Sequence, residues 1–231
     1  MKYLFLILLF YLQYQCLSSQ NYELTYEASF DKELMVDRLN QSEKKLKDKA
    51  TLRRLLRESK PVEIKVIANS TTAYSFRKNQ LKSDNTKINI NNSLFGKDEF
   101  YYLDFIENDF VFKKKSGSKF YNVNFQSHNY IIENEEVKVI NGYKCHLAYI
   151  ESEDTKIWFT KDKALNLGPK TYFGLPGLVV KVNKSDIINY DLKSIKETKI
   201  EPQSFPDNQT VISEKKYNAI IRKLGNGIFE N

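Results

Sequence analysis

Between Tyr22 and Phe30 the chain alternates strictly. Tyr22, Leu24, Tyr26, Ala28 and Phe30 fall on one side, while Glu23, Thr25 and Glu27 fall on the other. A period of two places one row of side chains in a core and the other in water, which a strand satisfies and a helix cannot. The pattern recurs along the chain. Val62, Ile64, Val66 and Ala68 share a face, as do Tyr121, Val123 and Phe125. Residues 100–126 hold two or three more strands, turning at Lys115-Ser116-Gly117-Ser118-Lys119. Asn141-Gly142 separates the runs 137–140 and 143–150, with 156–160 continuing the meander. That pair suits a type I′ hairpin, in which both central residues need positive φ. A last hairpin pairs 178–182 with 187–192, turning at Asn183-Lys184-Ser185-Asp186. Neighbouring strands joined by short turns must pair antiparallel, because parallel pairs need long crossovers. Fifteen Tyr and fifteen Phe reinforce the reading, since flat rings suit a pleated, half-buried surface.

Two segments break the period. Residues 42–58 carry Leu46, Ala50, Leu52, Leu55 and Leu56 at helical spacing among strong helix formers, ending before Pro61. Near the end, Tyr217, Ile220, Ile221 and Leu224 mark a short helix closed by Gly225. The polar stretch from Arg77 to Ser93 reads as a long loop. The fold class expected is therefore mainly β. It is a single curved antiparallel sheet, half-barrel-like, with one sheet-packed helix and a short C-terminal helix. Residues 1–19 are set apart as a signal peptide, and 20–231 form one domain.

The signal rests on Lys2 as a positive start, an uncharged and mostly apolar run from Tyr3 to Tyr14, and small residues that allow cleavage after Ser18 or Ser19. The run is shorter than the roughly 20 residues a bilayer span needs. Bulky Tyr14 and Gln15 before Cys16 argue against a lipid anchor there. Export to the periplasm or the outside follows, with membrane association peripheral at most. The mature chain then keeps one cysteine, Cys145, and has no internal disulfide despite an oxidising compartment.

The formal charge is +7, and residues 43–60 alone hold eight basic and three acidic side chains. Lys44, Lys45, Lys47 and Arg53 are candidate contacts to an anionic surface, the plainer reading being a solvated helix face. Nucleic acid is a poor partner for an exported chain without a recognisable binding module.

Candidate chemistry is sparse. Cys145 and His146 are adjacent, but strand geometry turns them to opposite faces. Cys145 falls in line with Tyr143, Leu147 and Tyr149, as a small core residue with a raised thiol pKa would. No metal-ligand spacing and no nucleophile, phosphate-loop or calcium-loop motif occurs in the chain. The sequence therefore nominates no catalytic residue, no metal ligand and no cofactor.

One stretch remains, "GPKTYFGLPGLVVKV", residues 168–182, which holds three of the chain's 8 Gly and two of its 5 Pro. Gly168, Pro169, Gly174, Leu175, Pro176, Gly177 and Leu178 form its turn. Pro176 and Gly177 suit the second and third positions of a type II turn leading into a strand from Leu178. Tyr172, Phe173 and Leu175 would form an exposed patch for a partner to cover.

Taken in order, "INGYKCHLAYI" with Asn141, Gly142 and Cys145, then "IWFT", then "LGPKTYFGLPGLVVKV" resemble the signature of the GLPGLI family. These are exported proteins of the Bacteroidetes, and the match spans Ile140 to Val182. Val179 stands in place of the usual Ile, and His146-Leu147 in place of the family's common basic residue before Ala148. The resemblance implies a Gram-negative envelope protein and supplies no reaction. The function expected is a non-enzymatic binding or accessory protein of the envelope, its partner an unidentified envelope protein or a lipid or peptide ligand. The alternatives are a structural or assembly subunit of an outer-membrane complex and, third, a hydrolase or redox enzyme using Cys145 or unrecognised carboxylates.

Overall fold

The opening alternation becomes the middle of a large sheet. In a computed structural model, which describes residues 20–42, 46–78, 89–96 and 98–229, β1 (Asn21–Phe30) is flanked on one side by β2 (Val62–Ala68) and on the other by β11 (Ile188–Thr198). From β1 the chain steps outward through β2, β3 (Thr72–Arg77), β4 (Glu99–Asp104), β5 (Asp109–Ser116) and β6 (Lys119–Asn124). It crosses to the far edge at β7 (Tyr130–Ile140). From there it returns through β8 (Tyr143–Ile150), β9 (Thr155–Thr160) and β10 (Leu178–Lys184) to β11. The spatial order is β12-β6-β5-β4-β3-β2-β1-β11-β10-β9-β8-β7, a 12-stranded sheet among the described residues. All pairs are antiparallel except β12 (Val211–Ser213), which adds to β6 in parallel. The mainly β, curved and half-barrel-like architecture expected from the alternation is the one found.

The register explains the core. Tyr26 stands opposite Ile64 on β2 and Leu192 on β11, and Leu24 opposite Val66, so one row of β1 is sealed from both sides. Burying such side chains contributes roughly 1.5–3 kcal/mol each. Asn141 (φ 52) and Gly142 (φ 82) both take positive φ, as the type I′ hairpin requires. The sheet then curls. The Asn141 side-chain amide donates to the Leu192 carbonyl at 2.9 Å, although β9 and β10 lie between β8 and β11.

The helices differ more from expectation. Leu46–Glu58 is a helix ending before Pro61, here α2, and it brings Leu56 into the core. Along the rest of its length it is tied to α1 (Lys32–Gln41), which the sequence reading missed. Lys49 Nζ donates to the Asn40 carbonyl and Arg53 Nε to Asn40 Oδ1, both at 2.8 Å. Asp31 caps α1 by accepting the Leu34 N–H at 2.9 Å. Part of the expected long loop is helical, α3 (Ile90–Leu94), because Asn89 caps it and the Asn91 amide donates to the Lys60 carbonyl. Residues 79–88 of that loop lie outside the described residues. The last helix, α4 (Glu214–Phe229), has 16 residues and runs on through Gly225 rather than closing there. The first 19 residues, with the expected signal, also lie outside the description.

Candidate functional site

The chain between β9 and β10, residues 161–177, leaves β9 exposed at 161–164 and turns away from solvent at Leu167. It turns into the concave side of the sheet and fills it. Phe173 is 2% exposed, Leu175 1% and Tyr172 6%. The expectation of an exposed patch at these three residues is thus overturned: they are core, because the curved sheet leaves an interior that they fill together with Phe95 and Phe125. The Phe173 ring packs edge-on against Phe110 at 4.7 Å and Phe105 at 5.8 Å, with Phe125 at 6.2 Å. Tyr172 meets Tyr190 of β11 from the other half of the sheet at 5.8 Å. One short segment therefore bridges strands that lie far apart in the sheet order.

The glycines and prolines make this path possible. A Cβ on Gly168 would run into the Tyr172 carbonyl oxygen and stand 2.9 Å from Val179 Cβ. One on Gly177 (φ 153) would collide with the Thr160 carbonyl, where the segment leaves the end of β9. The turn at Pro176 is tighter than the type II form expected: the Gly177 N–H donates to the Leu175 carbonyl at 2.7 Å, a three-residue closure. Beyond it the Val179 N–H reaches the Leu167 carbonyl at 2.8 Å, so both ends of the segment are stitched together.

Polar side chains fix the rest. Lys170 takes a left-handed φ of 56°, a conformation that costs a non-glycine residue about 1 kcal/mol or more. Its N–H donates to Ser75 Oγ on β3 at 3.2 Å, and its Nζ forms an ion pair with Glu99 at 2.9 Å. Lys114 binds the other Glu99 oxygen at 2.7 Å, and the Tyr101 hydroxyl adds a bond at 3.1 Å. Burial alone would raise the Glu99 pKa, but the two ammonium groups overcome it and hold the carboxyl at about 2. Opposite, the Tyr130 hydroxyl donates to the Phe173 carbonyl at 2.9 Å, and the Tyr26 hydroxyl to the Val179 carbonyl at 2.7 Å. His128 Nε2 lies 3.1 Å from Thr171 Oγ1 with its ring over Tyr172, and burial lowers its pKa.

Where this segment reaches the end of the barrel it leaves a cleft of about 400 Å³. Phe105, Phe110 and Phe173 form its apolar floor, and Asn69, Asn108 and Asn166 stand on its rim. Its lining carries no ionisable side chain.

The other nominated residues are dispersed. Lys44 and Lys45 lie outside the described residues, as does the side chain of Lys47, while Arg53 is engaged by Asn40. Cys145 is fully buried, opposite Thr160, and burial pushes its thiol up to about 11. His146 faces the other way, its ring 5.8 Å from Phe159. Sequence reasoning missed Glu99, Ser75 and Tyr130, weighed His128 only as a metal ligand, and passed over Lys170. The one available signal was a lysine set among glycines and aromatics in a stretch otherwise bare of charge. Among the described residues no three His, Cys, Asp or Glu side chains meet as a metal site would require.

No protein-family model matches the chain, and no curated protein matches it. Among solved structures it is similar to PNGF-II. In one crystal form the TM-score is 0.54 at 20% identity, covering 89% of this chain and 34% of PNGF-II. In a second the values are 0.51, 18%, 89% and 33%. The chain thus spans about a third of the length of PNGF-II, and at this identity the likeness is one of fold. An uncharacterized conserved protein from Thermus thermophilus covers 85% of this chain and 92% of its own, at a TM-score of 0.34 and 7% identity, too remote to add to this.

Proposed function

We propose that this is a non-enzymatic accessory protein of the bacterial cell envelope, exported and of GLPGLI type, that holds a peptide segment of another envelope protein at the mouth of its half-barrel. The observation that carries the reading is the filled concave face. With Leu167, Tyr172, Phe173 and Leu175 packed inside, the concave face is filled with side chains, and at its mouth a cleft stands over Phe105, Phe110 and Phe173. Asn108 and Asn166 on its rim each carry a donor and an acceptor, and Asn69 adds an amide donor, its Oδ1 being taken by Thr71 and Thr72; such a rim matches a peptide backbone better than a hydrocarbon chain or a charged group. A buried Cys145 with a high thiol pKa, turned away from His146, supports a non-enzymatic role.

Site-specific photocrosslinking in the native envelope tests this. A crosslinker at Asn69 or Asn108 is expected to trap one discrete protein, and the same group at exposed Lys144 of β8 none. Lipid adducts at the rim, or equal labelling from both places, would remove the proposal. A second reading, an assembly subunit, draws on β7. This strand is a free edge of the sheet with Ile131 55% and Val139 76% exposed, which is a surface for strand addition. Crosslinks from Val139 but not from Asn108 would favour it.

A further inference from the structure

The strongest uncompensated feature outside the cleft lies on the β5–β6 hairpin. Strand alternation splits its lysines between two faces. Lys114 turns inward to Glu99 at 2.7 Å. Lys113 and Lys115 turn outward, and their Nζ atoms stand 5.3 and 5.8 Å from the ring centroid of Phe120. Phe120 lies directly across from Lys115 and is 48% exposed, with Lys119 beside it in the chain. None of Lys113, Lys115 and Lys119 forms an ion pair among the described residues. Behind the hairpin α4 packs through Tyr217, whose ring meets Phe112 and Tyr121 at 5.7 Å each. That helix adds Lys215, Lys216, Arg222 and Lys223. Residues 109–124 and 214–229 together carry eight basic and two acidic side chains, a net +6 set against +7 for the whole chain.

We infer that this hairpin is a peripheral membrane-contact element that seats on an anionic phospholipid surface. Phe120 sinks its exposed ring face to the headgroup–acyl boundary, Lys113 and Lys115 on the same face reach back to the lipid phosphates, and Lys119 at the exposed start of β6 adds a third ammonium from the other face. An exposed ring gains nothing from water, and the two ammonium groups over it meet no carboxylate among the described residues. A surface that is negative above and apolar below relieves both. A soluble polyanion would neutralise the lysines and leave Phe120 wet, so the ring selects the bilayer. The proposal is independent of the cleft and shares with it only the envelope location.

The test is co-sedimentation of the purified protein with vesicles of phosphatidylglycerol and phosphatidylcholine in equal parts, against vesicles of phosphatidylcholine alone. Binding is expected only with the anionic lipid and to weaken steeply with salt. Each lysine near the surface is worth about 5-fold in partitioning, so the triple variant Lys113→Gln, Lys115→Gln, Lys119→Gln should bind about 100-fold less well. Phe120→Ser should lose roughly 10-fold. Neither variant touches a buried side chain, and an unchanged melting temperature verifies that they fold. In Phe120→Trp the added emission should shift to the blue with anionic vesicles. Equal binding to neutral vesicles, no binding at all, or an undiminished triple variant would overturn the proposal. So would binding displaced by a soluble acidic polysaccharide without a blue shift, which would assign the surface to a polyanion.

Discussion

Two stretches of this chain are written in the same letters, lysine, glycine and aromatics, and end in opposite places. Residues 168–177 run through the centre of the molecule, whereas residues 113–120 stand at its rim. Lys170 is admitted to the interior because Glu99 waits there with Ser75 to take its backbone N–H. Lys113, Lys115 and Lys119 meet no carboxylate and stay in water. The glycines differ likewise. Gly168 and Gly177 stand where any Cβ would strike backbone, while Gly117, at the hairpin turn, has open space around it. Composition therefore does not decide which stretch is buried; a partner 71 positions away does.

The contrast breaks first at the aromatics. Phe173→Ala should cost about 4 kcal/mol, since it opens a cavity among Phe105, Phe110 and Phe125, while Phe120→Ala should stay within about 0.5 kcal/mol. Urea denaturation of the two variants measures both. Next come the glycines. Gly177→Ala combines an unfavourable φ with a clash against the Thr160 carbonyl and should cost about 3 kcal/mol. Gly117→Ala has only its φ to contend with, for roughly 1 kcal/mol.

Acid sharpens the same comparison. The folded pKa of Glu99, about 2, lies below its ordinary value of 4.5. The stability it contributes is thus complete above about pH 4.5 and lost as pH falls toward 2. That loss amounts to at most about 3 kcal/mol, and it should disappear from the pH dependence of a Glu99→Gln protein. The smallest effect expected is from Lys115→Met, within about 0.5 kcal/mol. Lys170→Met, which leaves Glu99 buried with Lys114 alone, should cost about 2 kcal/mol. Equal values for the two lysines would erase the distinction.

What the sequence made legible was local. Alternation and apolar runs located most of the strands, though not β3 or the first half of β7, and Asn141-Gly142 specified its turn, because period and turn chemistry act within a few residues. Helix α1 was readable in principle from Asp31 as a cap but is weakly amphipathic and was missed. The parallel β12–β6 pair joins residues almost ninety positions apart, and the Lys170–Glu99 pair joins the β9–β10 connection to β4. No local pattern encodes either. The burial of Tyr172, Phe173 and Leu175 was misread for the same reason. A Gly- and Pro-rich stretch between strands ordinarily lies at the surface, and only the curl of the whole sheet creates the interior that this one fills.

Native-state hydrogen exchange tests most directly whether residues 167–177 belong to the core rather than to a lid. The amides of Lys170, held by Ser75, and of Val179, held by the Leu167 carbonyl, are the reporters. They are expected to exchange only through global unfolding, with the same free energy and the same denaturant dependence as the amides of β1. Fast exchange at Lys170 and Val179 while β1 stays protected would mean that the segment opens on its own, and it would contradict the account.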